Sequence, residues 1–200
     1  MNTLNGATIW FTGLPSSGKS TIAREVYRRL LGRGVLVELL DGSEVRESLS
    51  RGLGFSRADR EEHIRRIGYV AKLLSRNGVL AICAAVSPFR ATRDEVRRNT
   101  PRFVEVYVDC PVDVAERRDT EGWYARARRG EVEDFTGVNA PYEPPEAPEV
   151  HIHADRESAE NAADSVVRKL EEMQLVPTAS LAGTAGMDDV QRRLAALGYI

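Results

Sequence analysis

The chain has 200 residues, with 28 lysine or arginine side chains, 30 aspartate or glutamate side chains and a formal net charge of −2. This length suits one α/β catalytic domain with a sizeable core and is too short for two full enzyme domains. The balanced charge gives no electrostatic reason to expect nucleic acid or an anionic membrane as a partner. Because no apolar run could span a bilayer and residues 1–5 do not resemble a signal peptide, we expect a cytoplasmic protein.

Residues 13–20 fit the phosphate-loop pattern G-x-x-x-x-G-K-[ST]. An apolar strand pattern over 7–12 precedes them and a helical pattern over 20–31 follows, which is the context that the motif requires. The glycines let backbone N–H groups turn toward phosphate oxygens, and the helix adds its positive end. Lys19 is predicted to reach the β and γ phosphates of ATP, and the Ser20 hydroxyl to bind Mg²⁺. The predicted nucleotide-binding residues of this loop are Gly13, Leu14, Pro15, Ser16, Ser17, Gly18, Lys19, Ser20 and Thr21.

A second strand is predicted over 35–40 and ends at Asp41. Ligands of doubly wound sheets bind beyond the carboxyl ends of the strands, so Asp41 is expected to face the same crevice as the phosphate loop. The alternative is an aspartate that only forms a turn or caps a helix. A short helix over 43–49 then carries Arg46, and a glycine-rich loop leaves Phe55 exposed or half-buried.

A capping box at residues 56–59 predicts a long helix that runs to about residue 77. Its first turns hold basic side chains that oppose the helix dipole, which favours anion binding. A solvated charged face paired with Glu61 and Glu62 explains them equally well. The basic residues concerned are Arg60, His63, Arg65 and Arg66.

The nearly continuous apolar run over 79–86 predicts a central parallel strand. The Ser87-Pro88 step that follows is expected to place the Ser87 hydroxyl and Arg90 at the crevice, or else to form an ordinary strand-to-helix cap. Further patterns predict a helix over 92–99, a strand over 103–109 and a helix from 111 to 118. Residues 117–148 are rich in arginine and proline and read as a lid over anionic substrates.

A last strand over 149–153 and a last helix over 157–173 complete the predicted core. His151 and His153 alternate along the strand and are interpreted as structural or surface residues, since two such residues do not make a metal site. Cys83 and Cys110 are predicted to be buried reduced thiols. The domain is therefore placed at 1–176, followed by a small-residue linker and a short amphipathic helix over 177–200.

Beyond the phosphate loop, several strings resemble the adenylylsulfate kinase family over roughly residues 6–175. The resemblance implies a P-loop kinase fold, with a central parallel β-sheet, helices on both faces and an arginine-rich lid. The matching strings are Leu40-Asp41-Gly42, Leu53-Gly54-Phe55-Ser56, Ser87-Pro88-Phe89-Arg90, Tyr107-Val108-Asp109-Cys110-Pro111, Phe135-Thr136-Gly137 and Pro141-Tyr142-Glu143.

The same resemblance implies transfer of the γ-phosphoryl group of ATP to the 3′-hydroxyl of adenosine 5′-phosphosulfate (APS), with Mg²⁺ as cofactor and a homodimer as a possible assembly. Phe55 and Phe135 would sandwich the acceptor adenine, Arg46 and Arg60 would hold its phosphosulfate, and Arg118 would lie by the ATP base. Ser87 matches a position described as a phosphoserine, although direct in-line transfer needs only positioning and charge stabilisation. The implied catalytic residues are Lys19, Asp41 and Ser87. The implied acceptor-binding residues are Ser43, Arg46, Phe55, Arg60, His63, Val86, Ser87 and Phe135.

The chain departs from the family pattern at Ser43 and Glu44 (usually Asp-Asn), at His63 (usually Asn), and at Ala125 and Arg126 (usually a lysine pair). These changes alter the donors and charges available to an acceptor. The alternative function is therefore a kinase of the same family that acts on another nucleotide-like or sulfated small molecule. A non-catalytic nucleotide switch is the weakest hypothesis, because the guanine-reading motif Asn-Lys-x-Asp is missing from the sequence.

Overall fold

The computed structural model describes residues 6–178, and the structural account concerns that part of the chain. Strands and helices alternate, as expected for an α/β domain. The strands are β1 (Ala7–Thr12), β2 (Val37–Asp41), β3 (Leu80–Ala84), β4 (Phe103–Asp109) and β5 (Val150–His153). The helices are α1 (Lys19–Gly32), α2 (Gly42–Glu47), α3 (Arg57–Arg76), α4 (Arg90–Asn99), α5 (Val112–Arg117), α6 (Trp123–Arg128) and α7 (Ala159–Glu172).

The five strands form one parallel sheet in the order β2-β3-β1-β4-β5. Every residue of β1 is buried, because this strand lies in the centre of the sheet and helices cover both faces. The chain leaves β1 toward β2 and later returns to β4 on the other side. This change of direction opens a crevice at the carboxyl ends of the strands, where the phosphate loop lies.

Two apolar layers hold the sheet. The larger layer packs α1 and α7 against one face, and the second packs α3 and α4 against the other face. Arg93 of α4 is only 1% exposed and donates from Nε to Glu105 Oε1 on β4, at 2.8 Å. Arg97 donates to the other oxygen of Glu105 and to Glu149. This buried ion-pair network joins α4, β4 and the segment that leads into β5.

Arg93 also ties two loops of the crevice together. Its two terminal nitrogens donate to the carbonyl oxygens of Ser87 and Glu143, each at 2.7 Å. Ser87 follows β3 and Glu143 belongs to the proline-rich segment, so this buried side chain helps to fix their separation, together with the Glu143 N–H that donates to the Pro88 carbonyl oxygen. The prediction that Arg90 lies at the crevice is wrong: its guanidinium pairs with Glu146 and donates to the Pro144 carbonyl oxygen instead.

The predicted fold class is confirmed, and most predicted elements end within three residues of their observed bounds. The capping box is confirmed as well, since Ser56 Oγ accepts from the Asp59 N–H at the start of α3. Cys83 and Cys110 are buried free thiols, as expected. Helix α6 was not predicted inside the lid segment. The proposed linker and terminal helix lie almost wholly outside the described residues, so the domain division stays a prediction.

Candidate active site

The phosphate loop runs from the end of β1 to the start of α1, and its backbone needs glycine at both ends. Gly13 has φ of 152°, and a Cβ there would lie 2.4 Å from the Val108 carbonyl oxygen. Gly18 caps α1 with φ of 101°, a left-handed conformation that is strained for any residue with a side chain. The loop therefore brings its N–H groups and the α1 N-terminus to one point, as an anion requires.

Lys19, the first residue of α1, is 8% exposed and folds back over the loop. Its Nζ donates to the Leu14 carbonyl oxygen at 2.5 Å and to Ser17 Oγ at 3.3 Å. Burial lowers the pKa of Lys19 to about 8, while the negative charge of Asp41 acts in the opposite direction. A cation with so little water around it interacts strongly with any phosphate oxygen that replaces the Leu14 carbonyl.

Asp41 ends β2 and is 6% exposed. One carboxylate oxygen accepts from the Ser43 N–H and caps α2, and the other accepts from Arg24, each at 3.1 Å. The same residue lines a cavity together with Lys19. Both sequence interpretations of Asp41 therefore hold, because it caps a helix and also faces the crevice.

The cavity has a volume of about 510 Å³, which is within the usual range for a small-molecule site. It lies beyond the carboxyl ends of β1, β2 and β3. All the predicted acceptor-binding residues line it, together with four of the predicted phosphate-loop residues and the predicted ATP-base residue. The phosphate-loop and ATP-base residues on its wall are Pro15, Ser16, Lys19, Ser20 and Arg118. The side chain of Thr21 is exposed and lies outside the lining.

Two phenylalanine rings line the cavity. Phe55 is 49% exposed, with the guanidinium of Arg46 4.7 Å from its ring centroid and that of Arg60 5.3 Å away. Phe135 is 9% exposed and packs edge-on against Tyr124 at 4.9 Å. The two rings are thus unequal, because Phe55 is available for stacking whereas Phe135 also belongs to the core.

The basic residues at the start of α3 were predicted either to bind an anion or to form a solvated charged face, and the structure divides them between these two roles. Arg60 and His63 line the cavity, whereas Arg65 pairs with Glu61 and Glu95. Arg66 pairs with Glu62, so it belongs with Arg65 to a solvated charged face. The anion-binding interpretation therefore applies to Arg60, and His63 shares the cavity wall with it.

His63 is 5% exposed, and its Nδ1 lies 2.9 Å from Ser50 Oγ. Burial and the nearby positive charge of Arg46 lower the pKa of His63 to about 4, although a backbone hydrogen bond with Gly42 acts in the opposite direction. The imidazole is therefore neutral at physiological pH. It lies on the cavity wall, held by Ser50 and the Gly42 backbone, without adding a positive charge.

Ser87 is 2% exposed and has φ of 40°, which is strained for a residue with a side chain. Its Oγ accepts from the Trp10 indole N–H at 3.0 Å and donates to the Ala85 carbonyl oxygen at 3.3 Å. With both bonds formed, the hydroxyl is held by buried groups. This geometry fits a residue that shapes the cavity wall better than a free nucleophile.

Most arginines of the lid segment do not line the cavity, although the composition of the segment predicted that they would. Among its arginines only Arg118 lines the cavity, while the others pair with acidic neighbours at the surface. The paired arginines are Arg117, Arg126, Arg128 and Arg129. The departures at Glu44, Ala125 and Arg126 are also exposed and lie outside the lining, so only Ser43 and His63 change the cavity itself.

Sequence reasoning missed several lining residues of the lid. Trp123 lines the cavity from α6, with its indole N–H donating to Glu121 at 2.6 Å. Thr136 is 1% exposed, and its Oγ1 has no hydrogen-bond partner among the described residues. An unpaired buried hydroxyl on a cavity wall is a ready contact for a ligand. The Phe-Thr-Gly string drew attention to this position, but its partner-free hydroxyl was visible only in the structure.

A phosphate loop on the central strand of a parallel sheet, followed by a lid over a cavity lined by aromatic and charged side chains, defines a P-loop kinase. The family model for adenylylsulphate kinase matches residues 5–153. The chain therefore belongs to the adenylylsulphate kinase family.

Curated relatives agree with this assignment. An adenylyl-sulfate kinase of Halothermothrix orenii is 47% identical over 172 residues, which cover 86% of this chain and 93% of the relative. One of Synechococcus sp. strain JA-2-3B'a(2-13) is 50% identical over 82% of this chain and 94% of the relative. A probable bifunctional SAT/APS kinase of Sorangium cellulosum is 49% identical over 87% of this chain, which spans only 30% of that longer protein.

Solved structures give the same result. The Mycobacterium tuberculosis APS kinase in complex with AMPPNP and APS has a TM-score of 0.80, with 41% identity over 84% of this chain and 98% of the other chain. A shikimate kinase from Aquifex aeolicus has a TM-score of 0.52 at 14% identity over 84% of this chain and 98% of the other, a likeness that concerns the fold alone.

Proposed function

We propose that the protein transfers the γ-phosphoryl group of ATP to the 3′-hydroxyl of APS. The observation that carries this proposal is that Lys19 and all the implied acceptor-binding residues line one cavity. The named adenylyl-sulfate kinases support it, and they do not favour another acceptor. The departures at Ser43 and His63 leave the two phenylalanine rings and the two arginines implied in acceptor binding in place.

Catalysis by this arrangement rests on positioning and charge stabilisation. The N–H groups of the phosphate loop and the Lys19 ammonium bind the β and γ phosphates of ATP. Phe55, Arg46 and Arg60 orient the acceptor. Asp41 lies beside Lys19, where its carboxylate can orient the acceptor hydroxyl and take up its proton.

Mg²⁺ is a further part of the proposal. The Ser20 hydroxyl and the Asp41 carboxylate line the same cavity and supply oxygen ligands, which is the donor set that Mg²⁺ prefers. They would hold the ion directly or through its water molecules. When bound, Mg²⁺ neutralises charge on the β and γ phosphates.

Turnover with purified protein, ATP and APS tests the function directly. Formation of 3′-phosphoadenosine 5′-phosphosulfate is expected, and adenosine 5′-monophosphate should be a poorer acceptor because it lacks the sulfate that the arginines hold. The double variant Ser43→Asp, His63→Asn restores the usual residues and should change kcat/KM for APS only modestly. Turnover of APS by that variant, but not by the natural protein, would overturn the assignment of the acceptor.

We also propose that the protein acts as a homodimer in the cytoplasm. The family resemblance supports the dimer, although the APS kinase of Thiobacillus denitrificans is described as hexameric. Within residues 6–178, no helix is both long and apolar enough to cross a membrane. Light scattering on the purified protein measures the assembly, and a mass other than that of two chains would contradict the dimer.

A further inference from the structure

We propose that Asp109, His151 and His153 form a binding site for a divalent transition metal of the zinc type, separate from the catalytic cavity. None of the three residues lines that cavity. Their ligand atoms all lie within 4.8 Å of one another. The sequence alone did not predict this site, because it showed two alternating histidines without a third ligand.

The register between β4 and β5 brings the ligands together. Asp109 lies opposite His153, and Tyr107 lies opposite His151. Side chains alternate along a strand, so these four share one face while Val108 and Ile152 point into the core. The packing that stabilises the sheet thus also fixes the two histidines of the edge strand β5 next to Asp109.

One pair of ligand atoms already lies at the spacing of a coordination shell, and the third ligand atom lies within 4.8 Å of both. His151 Nε2 lies 3.0 Å from Asp109 Oδ2, and His153 Nδ1 lies 3.9 Å from the same oxygen. Metal–ligand bonds of about 2.0–2.1 Å at tetrahedral or right angles separate neighbouring ligand atoms by about 2.8–3.4 Å. Small rotations of the exposed His153 side chain would therefore complete three bonds to one ion.

Neighbouring groups already hold two of the ligands in orientation. The Tyr107 hydroxyl donates to Asp109 Oδ1 at 3.1 Å, which leaves Oδ2 turned toward the histidines. The Tyr107 ring lies 4.9 Å from the His151 ring and limits its rotation. Support of this kind from outside the ligand set is typical of built metal sites.

The ligand chemistry identifies the class of ion. Two imidazoles and one carboxylate suit Zn²⁺, Co²⁺ or Ni²⁺ better than Mg²⁺ or Ca²⁺, which prefer oxygen ligands only. The side chains of Asp109, His151 and His153 are 37%, 44% and 49% exposed, so an ion has direct access from solvent. Three protein ligands leave a position for water or another donor.

Metal titration of the untagged protein after chelator treatment and dialysis tests the proposal. Calorimetry with Zn²⁺ should give one saturable site per chain, and Co²⁺ should produce visible absorption bands that Zn²⁺ removes. The variants His151→Ala and His153→Ala should each weaken Zn²⁺ binding by more than about 10-fold, and Tyr107→Phe by about 10-fold, the size expected for a supporting partner.

Two controls separate the site from general surface binding. His63→Asn removes the only other histidine of the sequence, and Asp113→Asn removes an exposed carboxylate that pairs with Arg117; both should bind Zn²⁺ like the natural protein. Turnover of the His151→Ala, His153→Ala double variant verifies that it is folded. Saturable Zn²⁺ binding that survives in this double variant, or the lack of saturable binding in the natural protein, would overturn the proposal.

Discussion

Replacing Phe55 by alanine isolates the contribution of aromatic stacking to acceptor binding. The Phe55 ring is 49% exposed and lines the cavity, so its loss should change the free energy of unfolding by no more than about 0.5 kcal/mol. Phe135 is unsuitable for this purpose, because it is 9% exposed and packs against Tyr124. Truncating a buried phenylalanine costs about 3–5 kcal/mol and would mix folding with binding.

The expected size of the effect follows from the environment of the Phe55 ring. Stacking of a base on an aromatic side chain contributes about 1–3 kcal/mol. Arg46 and Arg60 already lie over the ring, at 4.7 and 5.3 Å from its centroid, and part of it faces solvent, so we expect the lower half of this range. Phe55→Ala should therefore lower kcat/KM for APS by about 5- to 30-fold.

A coupled assay that follows ADP release, with APS varied at saturating ATP, measures this loss. The KM for ATP should stay unchanged, since Phe55 is not part of the phosphate loop. Tyr69→Ala is the matched control, because Tyr69 is a 63% exposed aromatic residue of α3 away from the cavity. If Phe55→Ala keeps the natural kcat/KM for APS, or loses no more than Tyr69→Ala, the ring does not bind the acceptor base.

Further predictions concern charge in the site and in the core. Lys19→Ala should lower kcat/KM by at least about 10²-fold without lowering the melting temperature, because it removes a desolvated cation that binds phosphate. Asp41→Asn keeps an oxygen to cap α2 but should reduce kcat about 10²-fold, with an altered pH–rate profile. Glu105→Gln leaves the buried Arg93 without its counter-charge and should destabilise the fold by about 3–5 kcal/mol in urea titration. The free energy of unfolding should rise from pH 4 to 6.5. The folded pKa of His63 is lowered to about 4, so over this range the unfolded chain binds a proton at His63 that the folded chain does not bind. His63→Asn should therefore reduce the slope.

Each of these has a result that would contradict it. Near-normal turnover of Lys19→Ala would remove the phosphate-binding role, and an unchanged kcat in Asp41→Asn would leave that residue as a helix cap only. Asp113→Asn is the control for Glu105→Gln, since its exposed pair should contribute less than about 1 kcal/mol. Equal losses in the two variants would contradict the burial argument. An identical pH dependence with and without His63 would show that its folded pKa is not lowered.

Local patterns in the sequence were sufficient for most of the fold. The phosphate loop, the apolar runs of β1 and β3 and the capping box at Ser56 each have a short-range physical cause, so the order of strands and helices could be predicted. Helix α6 (Trp123–Arg128) was missed because it is six residues long and surrounded by arginines and glycines. A helix that short is stable only through tertiary contacts, such as the burial of Tyr124, which no local pattern reveals.

The functional site was less predictable where it depends on pairing between distant residues. Composition marked the arginines of the lid as anion binders, yet only the structure showed that Arg126 and Arg128 pair with Glu131 and Glu116. In the same way, a third ligand beside His151 and His153 depends on the register of β4 against β5. The register is set by packing across the sheet, and the sequence of one strand does not contain it.

The charges of the cavity explain why a protein with almost no net charge can hold two highly anionic substrates. Four cations and four carboxylates line its wall, so the cavity as a whole offers no surplus of positive charge. The cations are Lys19, Arg46, Arg60 and Arg118, and the carboxylates are Asp41, Glu47, Asp119 and Glu121. Affinity must then come from the placement of individual charges and N–H groups against individual oxygens. Burial strengthens this local recognition, because it removes water from the Lys19 and Arg60 cations, and the same loss of solvation lowers the pKa of both.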